Sequence, residues 1–200
     1  MADNKERNMA FQVSMVSQPP VFDSLPVAKI LRYPLEKRDY KPYAQSCVCV
    51  SAQSLYLRMW AFEVSPMPGS SLRCVLYLYP DTPDRALGVD LRCDGAASCS
   101  ILEDGEPVKV CAPGGAVRLT PFGGEDLQGV YWGGALQIDV DVLERWGGAT
   151  RLVVGESFWG NLYKLGDYPG FAHKGSFYPA DFAGRPYARE SMGEFQIVAY

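Results

Sequence analysis

Residues 54 to 79 read SLYLRMWAFEVSPMPGSSLRCVLYLY, and their alternation decides the fold. Side chains on a strand point to opposite faces with a period of two. Leu55, Leu57, Met59 and Ala61 therefore share one face, and Tyr56, Arg58, Trp60 and Phe62 share the other. Residues 71 to 79 repeat the pattern, with Leu72, Cys74, Leu76 and Leu78 on one side and Arg73, Val75, Tyr77 and Tyr79 on the other. The intervening Ser65-Pro66-Met67-Pro68-Gly69-Ser70 has turn chemistry, so the two strands are expected to pair as a hairpin. Their aliphatic face belongs in a core. Their second face carries Arg58 and Arg73 among aromatic rings, and it has two readings. It is a ligand cradle, or a second small core beneath the long loops with the arginines stacked over the rings.

Working outward, short alternating runs recur at 43 to 51, 87 to 93, 97 to 103, 116 to 120, 129 to 140, 150 to 158 and 194 to 199, separated by Gly, Pro, Asp and Ser clusters. This is the pattern of an all-β protein, an antiparallel β-sandwich of the jelly-roll or immunoglobulin-like kind. Only Val140 to Trp146 reads as helix. No internal repeat or linker divides the chain, so residues 1–200 are expected to form a single domain with a flexible segment at 1–10.

A composition of 48% apolar and 21% charged residues supplies enough material for a real core. The net charge of −4, with no basic stripe, gives no electrostatic footprint for nucleic acid. No apolar run approaches the roughly 18 residues of a membrane span, and no signal peptide is evident. The cytoplasm is therefore the expected compartment, or the exterior if the amino end has been trimmed. The six cysteines form no C-x-x-C pair, which speaks against zinc and for reduced, inward-facing thiols. A Cys93–Cys99 hairpin bridge is the competing reading. Acidic residues at 81, 84, 90, 94, 103 and 104 lack EF-hand spacing. No metal site and no cofactor is expected.

Residues 159 to 186, WGNLYKLGDYPGFAHKGSFYPADFAGRP, gather most of the polar-aromatic chemistry. Their Gly and Pro content predicts a loop. Rings beside amide and ammonium donors suit a flat, polyhydroxylated ligand. Candidate ligand contacts are Trp159, Asn161, Tyr163, Lys164 and the single histidine, His173, joined by Arg58, Arg73, Trp60 and Tyr79 from the two strands. Each has a structural alternative: Trp159 as a loop anchor, Asn161 as a partner for loop backbone, Lys164 as a solvated cation, His173 as a hydrogen-bonded turn residue. No carboxylate pair, nucleophile elbow or phosphate loop stands out, so no enzyme activity is expected.

The run Gly160-Asn161-Leu162-Tyr163-Lys164, Gly166-Asp167, His173, Gly175-Ser176-Phe177 with Pro179, then Phe182, Pro186 and Gly193, resembles the carboxy-terminal signature of family-nine-like carbohydrate-binding modules, of the DOMON-like sandwich type. A helix following the Tyr131-Trp132 strand fits the same pattern. The resemblance implies a β-sandwich and a sugar-related role. One departure is visible: no tryptophan precedes Ser70 to Leu76, and Arg73 stands about where the family has a glutamate. Trp60 or Tyr79 would have to supply the second ring.

The expected function is thus non-catalytic binding of a mono- or oligosaccharide, or a related small polar ligand, in a shallow aromatic-lined site. The alternative is an assembly sandwich that has lost the sugar site and uses its Arg-aromatic face to form a homodimer. A small hydrolase whose carboxylates meet only in the fold is a third reading.

Overall fold

The strands at 54 and 71 both form, but they do not pair with each other. The computed structural model describes residues 9–17, 19–39, 41–111 and 117–200. Its elements are β1 (Phe11–Met15), β2 (Ala28–Ile30), β3 (Tyr43–Val50), β4 (Ser54–Phe62), β5 (Ser71–Tyr77), β6 (Arg85–Arg92), β7 (Ala97–Glu103), β8 (Glu106–Cys111), β9 (Val117–Asp126), β10 (Gly129–Asp139), α1 (Val140–Gly147), β11 (Ser157–Gly166), β12 (His173–Ser176) and β13 (Gly193–Ala199). Residues 1–8 of the expected flexible segment, and residue 116 of the expected strand 116–120, lie outside the described residues.

The strands run in the order β8-β7-β6-β5-β11-β13-β1-β3-β4-β10-β9, with β12 added to β11 and β2 to β3. This one sheet curls so that its two halves face each other as a sandwich. β4 lies between β3 and β10, while β5 lies between β6 and β11. The segment 63–70 is therefore a crossover between layers and not a hairpin. The aliphatic faces of β4 and β5 meet across the core, where Leu55, Leu57, Met59, Leu72, Cys74 and Leu76 are all buried in one cluster. Their other faces point away from each other, so Arg58 and Arg73 stand on opposite outer surfaces.

Nearly all pairing is antiparallel, as expected, but β1 is parallel to both β13 and β3. It stitches the two halves of the sheet together, bringing Phe11 opposite Phe195. At five residues, β1 is too short for its alternation to stand out in the sequence. Phe195 is fully buried, stacked on Phe158 at 5.4 Å and in contact with Phe11 and Tyr178.

The larger departure is at 157–166. The expected strand 150–158 is mostly irregular, and the expected loop from Trp159 is the central strand β11, extended by β12. β11 is buried on both faces. Phe158, Leu162 and Lys164 point into the sandwich; Asn161 and Tyr163 lie on the outer side, beneath the covering segment 177–192. A strand covered on both sides loses the polar alternation that identifies a half-exposed one. The helix forms close to where it is expected, one residue longer at its carboxy end. All six cysteines are free thiols, and Cys93 and Cys99 are not bridged. Burial pushes the Cys47 thiol up to about 11 and that of Cys49 to about 12.

Truncating Phe195 to alanine removes a ring at the junction of both layers and should cost about 3–5 kcal/mol, the usual range for a buried phenylalanine. Urea unfolding monitored by circular dichroism would register this as a lower midpoint at unchanged slope.

Candidate functional site

Two Pro-Gly turns build the site. In Met67-Pro68-Gly69-Ser70 the amide of Ser70 donates to the Met67 carbonyl at 2.9 Å, and Gly69 has φ +85°. In Tyr168-Pro169-Gly170-Phe171 the amide of Phe171 donates to the Tyr168 carbonyl, also at 2.9 Å, and Gly170 has φ +81°. Proline at the second position and a positive-φ glycine at the third make both of them type II turns. The first follows the crossover from β4, and the second follows β11. Together they flank one open end of the sandwich.

Between them lies a cavity of about 510 Å³, with Met67, Pro68, Val64 and Pro42 as apolar wall and Tyr168 and Phe171 as aromatic rim. The two rim rings are half exposed, with centroids 6.3 Å apart. Arg38 latches the second turn in place: its Nη1 donates to the Gly170 carbonyl and its Nη2 to the Ala172 carbonyl, each at 3.0 Å. Glu36 holds the same guanidinium by paired hydrogen bonds, which lower the carboxyl of Glu36 to about 2. The volume is that of a small-molecule pocket, mostly apolar with few polar groups.

The floor is a connected polar network. Glu63 enters from the end of β4, and its Oε2 accepts from Trp132 Nε1 and from Ser70 Oγ, both at 2.8 Å. Its Oε1 faces Lys164 Nζ at 3.2 Å. Lys164 is fully buried and directs its ammonium protons to Ser70 Oγ (2.6 Å), His173 Nε2 (2.9 Å) and the Leu165 carbonyl (3.2 Å). A carbonyl can only accept, so the 2.9 Å contact from His173 Nδ1 to the Phe171 carbonyl places the ring proton on Nδ1 and leaves Nε2 free to accept from lysine. Desolvation lowers the Lys164 pKa, offset by Glu63, and desolvation with the neighbouring ammonium lowers that of His173. Every ammonium proton has an acceptor, which favours the charged form against that desolvation.

Of the residues singled out in the sequence, only Lys164 and His173 belong to this network, and His173 alone lines the cavity. Asn161 is buried, donating from Nδ2 to the Tyr178 and Ser191 carbonyls and accepting the Tyr178 amide, so its amide ties down the covering segment. Tyr163 is buried and donates to the Pro186 carbonyl at 2.6 Å. Tyr79 is buried against α1, where a side chain at Gly147 would meet its ring. Arg58 pairs with Asp23 at 2.6 Å and lies over Trp60 and Phe122, 5.0 and 5.1 Å from their centroids. Arg73 pairs with Asp90 at 2.6 Å and lies over Tyr187 at 4.4 Å. The second-core reading of the Arg-aromatic strand faces is therefore the one observed, on two separate surfaces. Trp159 is 40% exposed at the far end of β11, away from the cavity. Sequence reasoning missed Glu63, Ser70, Tyr168 and Phe171. The two Pro-Gly pairs were the available signal, since each dictates a turn that sets its neighbours on a rim.

A two-layer sheet with an aromatic-rimmed hollow at one open end defines the class, a β-sandwich with a pre-formed pocket. More particularly, the fold is that of the family-nine carbohydrate-binding modules. A protein from Bacteroides uniformis classed as carbohydrate-binding superposes with a TM-score of 0.74 at 16% identity, over 94% of this chain and 98% of that one. A family-nine module from Caldicellulosiruptor kristjanssonii in complex with glucose gives 0.61 at 9% identity, covering 96% and 97%. The cellotriose complex of a family-nine module from that organism gives 0.62 at 10%, covering 96% and 95%. No protein-family model matches the chain, and no curated protein matches it in sequence.

Replacing Lys164 with methionine leaves Glu63 as an uncompensated buried carboxylate and should cost about 3–5 kcal/mol. Adding Glu63→Gln to that variant should recover part of the loss in the same urea titration. His173 also makes stability depend on pH. Its folded pKa lies below the unfolded value of about 6.5, so the unfolded chain gains a proton first and stability falls as the pH drops through that value. The decline ends below the folded pKa. His173→Gln should flatten this limb, as followed by urea midpoints measured stepwise from pH 7.5 downwards.

Proposed function

We propose that the protein binds a mono- or oligosaccharide without chemical change, in the cavity between the Met67–Ser70 and Tyr168–Phe171 turns. The observation that carries this reading is the pairing of half-exposed rings with a pre-formed pocket. Tyr168 and Phe171 offer flat apolar surface to the C–H face of a pyranose. Hydroxyls at the rim would meet the Tyr168 phenol and the Arg38 guanidinium. Two solved structures of the same fold that hold glucose and cellotriose support a ligand of this class.

The floor favours binding over hydrolysis. Glu63 is the one carboxylate among the described residues lining the cavity, whereas glycoside hydrolysis ordinarily employs two across the scissile bond. Glu63 already accepts two hydrogen bonds and faces an ammonium, and both ring nitrogens of His173 are engaged. The network is a rigid base. Affinity should be modest, because an open site exchanges hydrogen bonds to water for nearly equal ones to protein.

Isothermal titration with glucose and cellotriose should show saturable binding that Phe171→Ala weakens about tenfold, roughly 1.4 kcal/mol of lost ring contact. Folded protein giving no heat with either sugar, or an unchanged affinity in both Phe171→Ala and Tyr168→Ala, would remove the basis for this assignment.

A further inference from the structure

The opposite end of the β5–β11 pair carries a second hollow, of about 190 Å³. Six residues of strand separate Trp159, opposite Tyr77, from Leu165, opposite Ser71 at the cavity end, which is about 20 Å. The two hollows are therefore separate. Trp159 stands at this one with the indole 40% exposed, and Arg189 lies over it, 5.0 Å from the ring centroid and 5.4 Å from that of Tyr77. Arg151, exposed on the segment after α1, lines the same hollow.

The charge pattern singles these two arginines out. Apart from Arg32, every other arginine among the described residues has a carboxylate within 4.0 Å. Arg151 and Arg189 have none among those residues. Arg189 donates a single hydrogen bond, from Nη1 to the Pro83 carbonyl at 3.3 Å, so most of its five N–H groups are uncommitted among the described residues. Asp84 acts on this guanidinium only from beyond pairing distance. A partly desolvated guanidinium without a counter-ion, stacked on aromatic rings and fixed by a backbone carbonyl, is preorganised for a planar anion.

We propose that this hollow is a second binding site, for a sugar bearing a carboxylate such as a uronic acid. Its carboxylate meets Arg189 and Arg151, and its ring lies against the exposed indole of Trp159. A volume equal to that of about six water molecules suits one ring and not a chain. Glu156, also in the lining, offers an acceptor for ring hydroxyls and disfavours multiply charged anions.

The test is isothermal titration of the full chain at low ionic strength with galacturonic acid and its trimer, using glucose and inorganic phosphate as comparisons. Galacturonate should bind more tightly than phosphate and weaken with added salt. Arg151→Ala and Trp159→Ala should each weaken it about tenfold. Arg151 is exposed, so its replacement leaves folding intact, as circular dichroism can verify. Phe171→Ala, in the other cavity, should leave galacturonate binding unchanged, which separates this site from the neutral-sugar site. No galacturonate binding by folded protein, phosphate binding as tightly, or an affinity indifferent to both Arg151→Ala and Trp159→Ala would overturn the proposal.

Discussion

The cavity end of this sandwich depends on one charge carried into the seam between its layers. Lys164 points inward from β11, on the face that otherwise supplies Phe158 and Leu162 to the core. A buried ammonium is tolerated only when paired and fully hydrogen-bonded. The partners that satisfy it come from different parts of the chain: Glu63 at the end of β4, Ser70 at the crossover turn, His173 at the start of β12. The lysine thereby fixes the relative position of the two layers and of both turns. Trp132, from β10, joins through Glu63 and ties in a further strand. A purely apolar seam would close the sandwich as well, but would leave these segments free to slide.

Much of the architecture was legible because its strands alternate cleanly in sequence. The β4 and β5 faces sort into core and outer sides as the period-two pattern requires, and α1 follows the Tyr131-Trp132 strand as the family resemblance implies. What the pattern could not convey is partnership. A Pro-Gly turn between two strands looks the same whether the chain folds back within a layer or crosses to the next one. The hairpin reading therefore placed Arg58 and Arg73 side by side when they occupy opposite surfaces. Similarly, β11 reads as loop from the Gly and Pro content of its segment, and its polar Asn161 and Lys164 do not mark it as a strand. Both are buried, each satisfied by contacts distant in sequence that no local window contains.

The candidate site was legible in part for the same reason. The 159–186 segment, read as aromatic and sugar-oriented, borders the cavity through Gly166, Tyr168, Phe171 and His173. Yet its rings divide four ways: Tyr163 packs against Phe182 of the covering segment, Phe177 and Tyr178 pack on Phe11 and Phe195, Trp159 lies at one end, and Tyr168 and Phe171 lie at the other. Strand direction makes this division, since residues five or more apart on an extended segment cannot share one pocket. Tyr168 and Phe171 meet only because a turn folds the chain back between them.

That turn separates shape from identity. The backbone of Tyr168-Pro169-Gly170-Phe171 is held by its proline, its glycine and the Arg38 latch, none of which depends on the outer two side chains being aromatic. The same is true of the Met67–Ser70 turn at its first position. The rim can thus exchange its side chains while the frame beneath stays put, so, on the binding reading proposed above, chains that share this scaffold are free to diverge in ligand preference through a few positions at the lip.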